Sequence, residues 1–328
     1  MDQEISDNNI SEDQTSDQLA EEEVTTYKDN NNMTLFRWQS LVSNSMITKK
    51  VKNSLNDWKR NIKTNVKFEI KSNDKCLVTI TDQNKDKVVV TKEKFNQLII
   101  NSRRLRPFTH LITVPFISDS LKDEFNQFKD NILTNFVSDG NRIDEYLFQK
   151  TFKLHLTVCV LVLLNDNEIL LAKKLLRDSL DQIINPVLNG KPLKVTLEGL
   201  QVIKGQQERA HVVYAEVKEE TNTLQTIADQ IVNKFIKAGL LGDCGDNTVK
   251  LHVTFINSLF RQRALIKQNT ENKKRIKRET FNAKEILDFY KSYKFSEYIV
   301  KCIQLNEIKS ITSEGFYGFV DGIDLPQD

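Results

Sequence analysis

The sequence predicts an α/β or α+β protein in which short strands alternate with amphipathic helices. Apolar residues recur at strand spacing and at helix spacing in turn from about residue 34 to the C-terminus. The length of 328 residues corresponds to about two domains. We expect a tail at residues 1–32, a small domain at 33–106 and a larger domain at 107–328.

The charge of the chain is divided unevenly. Residues 1–32 carry ten acidic residues and one basic residue, whereas the remainder has 46 basic against 35 acidic residues. The first segment has too little apolar surface to offset the entropy lost on ordering, so we expect it to be disordered, either with a role of its own or as a solubilising tail. The basic remainder indicates a polyanionic partner.

Several classes of protein are excluded by the composition. The longest apolar run, Leu156–Leu164, is far shorter than the ~20 residues of a membrane-spanning helix, and the acidic N-terminus does not resemble a signal peptide. The four cysteines have no paired spacing, which argues against a zinc ribbon or a disulfide framework and fits a reducing compartment. They are Cys76, Cys159, Cys244 and Cys302.

Hydrophobic periodicity gives the elements of both domains. In the small domain we expect helices over Met46–Ile62 and Lys92–Leu105 and strands over Val66–Ile70 and Leu77–Thr81. In the larger domain we expect a helix capped by Ser118, helices over Glu168–Val187 and around Leu224–Phe235, and one helix after Phe281. The expected strands there are Thr109–Phe116, Lys153–Leu164, Leu193–Val202, Ala210–Val217, Val249–Phe255, Lys301–Leu305 and Gly318–Leu325.

A repeat within the larger domain carries the candidate chemistry. The segments Thr151–Thr157 (TFKLHLT) and Thr248–Thr254 (TVKLHVT) are identical at five of seven positions. Because successive side chains of a strand point to opposite faces, each copy would bury an apolar face and present Thr, Lys, His and Thr on the other. If the two strands face each other across a groove, two imidazoles and two hydroxyls converge.

This set of side chains suits reaction at a phosphate. One neutral imidazole can accept a proton from the attacking oxygen while a second, protonated imidazole donates one to the leaving oxygen, so His155 and His252 are the candidate catalytic residues. Thr157 and Thr254 are the candidate ligands of the non-bridging oxygens. The chemistry requires no cofactor and no metal, and no ligand cluster lies near the repeat in sequence.

The paired motifs resemble those of the two-histidine phosphoesterases, also called RNA ligase-like phosphodiesterases. Three segments strengthen the resemblance: Arg104–Phe116, His252–Arg261 and Phe316–Asp324. The resemblance covers about residues 105–328 and implies an α+β fold with two lobes, antiparallel sheets around a central cleft and helices outside. It implies an enzyme that acts on RNA ends or nucleotides, such as 2′,3′-cyclic phosphates or 2′–5′ linkages, with the two histidines as acid and base. Which histidine is the acid stays open.

The small domain is similar to an RNA-binding KH domain in its order of helix, strand and helix. A KH domain clamps the RNA backbone with a G-x-x-G loop, but this chain has no glycine before Gly140. The clamp is therefore absent, and two alternatives stay open for this domain: it binds RNA, or it is a KH-shaped domain that serves packing or docks a protein partner.

Further RNA contacts are expected from Lys153, Lys250, Arg261, Arg263 and Tyr317. The segment 261–278 holds eight basic residues and one acidic residue, which predicts either a phosphate-binding loop, a nuclear import signal or a solvated loop. The family that the chain resembles includes a subunit of a nuclear complex that acts in transcription coactivation and DNA repair. The competing prediction is therefore a non-catalytic RNA- or protein-binding subunit of such a complex.

Overall fold

The structure is a computed structural model that describes residues 24–43, 47, 49–71, 75–103, 106–138, 140–164, 166–242, 245–268 and 276–327. The chain forms two compact units that divide between residues 103 and 104. The predicted division was between residues 106 and 107.

The first unit has an antiparallel four-stranded sheet in the order β1-β2-β4-β3. Its elements are β1 (Thr25–Lys28), β2 (Thr34–Ser43), α1 (Lys49–Asn61), β3 (Asn65–Ile70), β4 (Lys75–Asp82) and α2 (Lys85–Arg103). Its core is formed by Trp38, Val51, Leu55, Val78, Ile80, Val88 and Phe95. The expected order of helix, two strands and helix is found in α1, β3, β4 and α2, but two further strands precede it. The assignment as a KH-like domain stays a prediction.

The prediction that residues 1–32 are disordered is wrong for the C-terminal part of this segment. Residues 25–28 form β1, which pairs with the unpredicted β2, while residues 1–23 lie outside the described part of the chain. The composition of the whole segment concealed the short sequence Thr-Thr-Tyr-Lys, whose β-branched and aromatic residues favour a strand. Likewise, α2 begins at Lys85, before the predicted Lys92. The side chain of Asn84 accepts a hydrogen bond from the Asp86 amide and caps this helix.

The second unit contains eight strands and six helices among its described residues. Its strands are β5 (His110–Pro115), β6 (His155–Leu161), β7 (Lys194–Val202), β8 (Val212–Lys218), β9 (His252–Asn257), β10 (Lys294–Ile299), β11 (Cys302–Ile311) and β12 (Tyr317–Asp324). Its helices are α3 (Asp119–Asn135), α4 (Asp166–Ser179), α5 (Asn185–Leu188), α6 (Thr223–Lys237), α7 (Ser258–Gln268) and α8 (Lys284–Phe289).

The strands form one antiparallel sheet in the order β10-β7-β8-β9-β6-β5-β11-β12. Strands β6 and β9 at its centre are joined by a single residue pair, Leu156 and Val253. The sheet therefore consists of two four-stranded halves, β10-β7-β8-β9 and β6-β5-β11-β12, whose strands are paired with each other only at this position. This is the two-lobed α+β arrangement predicted above.

Helices cover the apolar face of the sheet and leave the other face to polar side chains. Ser118 caps α3 as predicted, since its side chain accepts a hydrogen bond from the Leu121 amide. Helix α6 buries the apolar stripe that predicted it, with Leu224, Ile231 and Phe235 among its buried residues.

Three local features of the second unit differ from the sequence-based expectation. The strands of the repeat begin at the histidines, because Thr151–Lys153 forms a 3₁₀ turn and residues 248–251 precede β9. The basic segment 261–278 starts as part of helix α7, although residues 269–275 lie outside the described part. Strand β10 was not predicted, because Lys294–Ile299 has too few residues for a clear period. In the described residues no helix has the length and apolar character to cross a membrane.

Candidate active site

The single pair that joins the two halves of the sheet also brings the repeated motifs together. Leu156 and Val253 lie opposite each other on antiparallel strands and are both fully buried. This register places His155 opposite Thr254 and His252 opposite Thr157. The four side chains alternate with the buried pair, so they lie on one face and are half-buried.

The register also sets the spacing of the two histidines. They occupy diagonal positions across the strand pair, and such positions are about 7–8 Å apart. His252 is one of the groups whose positive charge lowers the pKa of His155. The two imidazoles are therefore close enough to interact electrostatically.

Each imidazole is held in the same way by the backbone. Nδ1 of His155 lies 2.7 Å from the carbonyl oxygen of Lys153, and Nδ1 of His252 lies 2.7 Å from that of Lys250. Since a carbonyl oxygen can only accept, Nδ1 donates in both rings. This hydrogen bond fixes each ring and leaves Nε2 free to exchange a proton with a substrate.

The environment favours the neutral imidazole. Burial lowers the pKa of His155 to about 4, and the charges of His252 and Lys153 act in the same direction against the hydrogen bond to the Lys153 carbonyl. Burial also lowers the pKa of His252, and the charge of Lys250 adds to this effect. His155 is thus the histidine that stays unprotonated more readily.

A tyrosine and a lysine flank each histidine in a matching arrangement. The ring of Tyr317 meets the ring of His155 edge to face at 5.3 Å between centroids, and the Lys153 ammonium lies 4.8 Å from the same tyrosine centroid. On the other side, Tyr214 lies 5.2 Å from His252, with the Lys250 ammonium at 4.5 Å. Both lysines are thus held close to the histidines by cation–π contacts.

Tyr214 was not identified from the sequence. It lies on β8, where its Cα pairs with that of Thr254, and it is nearly fully buried. The sequence contains no repeat around Tyr214 that would connect it with the motif containing Tyr317. Only the pairing of β8 with β9 brings it to the site.

Two glycines allow the β11–β12 hairpin to bring Tyr317 to His155. Gly315 has a φ of +86°, and a Cβ atom there would lie 2.7 Å from the ring of Phe152. A Cβ atom on Gly318 would overlap the side chain of Ser310. The hairpin packs closely on the turn that precedes β6 because Gly315 has no side chain, and its two strands approach each other closely at Gly318.

Most of the second unit matches one family of known proteins. The family model described as "AKAP7 2′5′ RNA ligase-like domain" matches residues 108–325, about two thirds of the chain. The chain belongs to this family. The match includes both His-x-Thr motifs and both flanking tyrosines, while the first unit lies outside it.

Individual relatives show how far the similarity extends. Activating signal cointegrator 1 complex subunit 1 of Mus musculus is 28% identical over 296 residues, covering 86% of this chain and 82% of the mouse protein. Among solved structures, a phosphoesterase matches with a TM-score of 0.40 and 14% identity, covering 67% of this chain and 100% of its own. E. coli LigT complexed with 3′-AMP matches with a TM-score of 0.40 and 14% identity over 68% of this chain and 100% of LigT.

The remaining predicted contact residues of this RNA ligase-like domain fall into two groups. Arg263 is exposed on α7, and its charge acts on both Lys153 and Tyr317. Arg261, two residues earlier, is buried. Its guanidinium donates to the carbonyl of Arg142 at 2.6 Å and to Asp144 at 3.0 Å. Arg261 thus holds α7 to the preceding loop instead of facing solvent.

Proposed function

We propose that this protein is a metal-independent phosphodiesterase that acts on RNA ends or nucleotides, on 2′,3′-cyclic or 2′–5′ and 3′ phosphodiester linkages. The observation that carries the proposal is the pairing of Leu156 with Val253, since it sets two histidines and two threonines around one point. The matching orientation of both rings supports a role for both Nε2 atoms.

The electrostatics favour one assignment of acid and base. His155, with its pKa of about 4, serves as the base, and the less buried His252, whose pKa burial also lowers, serves as the acid. A water oxygen attacks phosphorus while its proton passes to Nε2 of His155. The bond from phosphorus to the leaving ribose oxygen breaks, and that oxygen takes the proton from Nε2 of His252.

Threonines and lysines complete the proposed site. The hydroxyls of Thr157 and Thr254 donate to the non-bridging oxygens, where negative charge must be stabilised. Lys153 and Lys250 add positive charge on opposite sides of the phosphate. Tyr317 and Tyr214 hold these lysines and pack against the histidines.

The similarity to the mouse protein supports a cellular role. We propose that the chain is a subunit of an activating signal cointegrator 1 complex, with roles in transcription regulation and DNA repair and a nuclear location that extends to the cytoplasm. The first unit, which has its own core, then binds RNA or another subunit.

A non-catalytic function in the same complex is the second candidate. It is favoured by the similarity to a complex subunit over both units of the chain and by the lack of any glycine before Gly140, which removes the RNA clamp expected of a KH domain. In that case the second unit binds RNA or protein without cleaving it.

The deciding experiment compares wild type with His155→Ala and His252→Ala on RNAs that end in 2′,3′-cyclic phosphate, 3′-phosphate, 2′–5′ or 3′–5′ linkages. We expect each substitution to lower kcat by about 10²–10⁴-fold without loss of folding. His211→Ala is the control, because it removes an imidazole that contacts Ser258 and not the site. Equal, background rates for wild type and both site variants would favour the non-catalytic function.

A further inference from the structure

Positive charge is concentrated on the His155 side of the site. Lys150 and Lys153 flank the 3₁₀ turn before β6, and Arg263 and Lys267 lie one turn apart on α7. Lys150, Arg263 and Lys267 are exposed. Among the described residues, none of these four side chains has an ion pair with a carboxylate.

Packing brings these cations into one group. Helix α7 lies against the turn Glu145–Leu147, and the Gln268 side chain donates to the Tyr146 hydroxyl at 3.2 Å. Arg263 and Lys267 are four residues apart, so they share a face of α7. Lys153 lies over the Tyr317 ring at 4.8 Å, and its pKa is lowered first by burial and then by the like charges of Lys150, Arg263 and Lys267.

The His252 side has a different charge balance. Glu216 is the Cα partner of His252 on β8, and Glu198 is the partner of Glu216 on β7. Lys218 lies 3.0 Å from Glu198 and 3.9 Å from Glu216. With Lys250, this side has two basic and two acidic residues and no excess charge. The group on the His155 side has four basic residues, and the acidic residues on the adjacent turn are Asp144, which pairs with Arg261, and Glu145. The His155 side therefore keeps an excess of positive charge.

We infer that the substrate is a single-stranded polynucleotide whose backbone runs from the phosphate between the histidines over Lys153 and along α7. This inference rests on the proposed function for the position of the reacting phosphate. The histidines and threonines take up the oxygens of one phosphodiester. Arg263 and Lys267, about 6 Å apart along the helix axis, find phosphate partners only if the substrate carries further nucleotides on that side.

The test measures binding and turnover of two probes by the full chain. One is a 5′-fluorescein single-stranded RNA of about ten nucleotides and the other a dinucleotide with the same end. Arg263→Gln/Lys267→Gln removes two charges from α7. Lys284→Gln/Lys291→Gln is the control, since it removes two exposed charges at and just after α8.

For the α7 variant we expect the Kd of the longer RNA to rise about tenfold at physiological salt and the slope of log Kd against log salt to fall by about 1.4. We also expect the preference for the longer RNA over the dinucleotide to fall by a similar factor. The control variant should retain the wild-type values.

Several outcomes would overturn the inference. Equal Kd values of wild type and the α7 variant for the longer RNA would do so. So would an acidic peptide that competes with the RNA equally well for both proteins, in the case where the α7 substitutions leave RNA binding unaffected. Because binding is measured without turnover, this result is separate from the proposed function. If the wild type is inactive but binds RNA through α7, the proposed phosphodiesterase activity is contradicted and the proposed RNA-binding surface is supported.

Discussion

Leu156 and Val253, 97 residues apart in the sequence, form the only Cα pair between β6 and β9 in the described structure. Both side chains are fully buried beneath the site. Their neighbours on each strand therefore point to the opposite face in a two-fold arrangement, with a histidine of one strand opposite a threonine of the other. The relative positions of the candidate acid and base thus follow from the register of this one pair.

The pH dependence of kcat/KM should follow the two histidine pKa values of the free enzyme. Because His155 must be neutral to act as base and its pKa is about 4, activity should fall about tenfold per pH unit only below that value. Because His252 must be protonated and burial lowers its pKa, activity should fall again as the pH rises, beginning below the ordinary histidine value of 6.5. The optimum should therefore be acidic, which a pH–rate series measures. An optimum above pH ~8 would contradict this assignment of acid and base.

Tyr214 should act as a positioning residue for His252 and Lys250. Tyr214→Phe keeps the ring that contacts both and should retain activity within about threefold, since only a hydroxyl is lost. Tyr214→Leu removes the ring and should lower kcat/KM by about tenfold, with the alkaline limb of the pH profile shifted. Because Phe also preserves the packing of this buried ring, the pH profile is the deciding readout. A general loss of stability in Tyr214→Leu would leave the pH profile in place, so an unshifted alkaline limb would argue against positioning.

Gly315→Ala should disturb the hairpin that carries Tyr317. The left-handed backbone at φ +86° costs an alanine about 1–2 kcal/mol, and its Cβ atom would meet the Phe152 ring. We expect denaturant titration to give a lower free energy of unfolding for Gly315→Ala than for wild type. We also expect this variant to lose more activity than Gly190→Ala on substrates that contact Tyr317. Gly190→Ala is a matched control, because that glycine also has a positive φ but a Cβ atom there would have no other atom within 4 Å. Equal activity losses in the two variants would show that the hairpin contact is unimportant.

Removal of divalent metal ions should leave activity unchanged within about twofold, because imidazoles transfer both protons and threonines contact the charged oxygens in the proposed mechanism. The measurement is turnover of a 2′,3′-cyclic phosphate substrate after treatment with EDTA, with Mg²⁺ restored in a parallel sample. A large loss that Mg²⁺ reverses would place a metal ion in the reaction.

Local patterns in the sequence were sufficient for much of this fold. The alternation of apolar and polar residues in both repeats predicted the faces of β6 and β9 from the histidines onward, and Ser118 predicted the start of α3. The strand assignment failed for Lys153, which ends a 3₁₀ turn, and for Lys250, which lies in irregular backbone before β9. In both places the lysine carbonyl oxygen meets Nδ1 of the following histidine. Such a turn leaves no mark in a two-residue period.

The sequence by itself determined which side chains could perform acid–base chemistry at a phosphate, since residue type and strand period are local properties. Only the tertiary structure decided that His155 faces Thr254, that Tyr214 and Tyr317 pack against the histidines, and that α7 adds its charges to one side. The physical reason is that strand pairing and helix packing join residues far apart in the chain, and their energies depend on the burial of the whole sheet face.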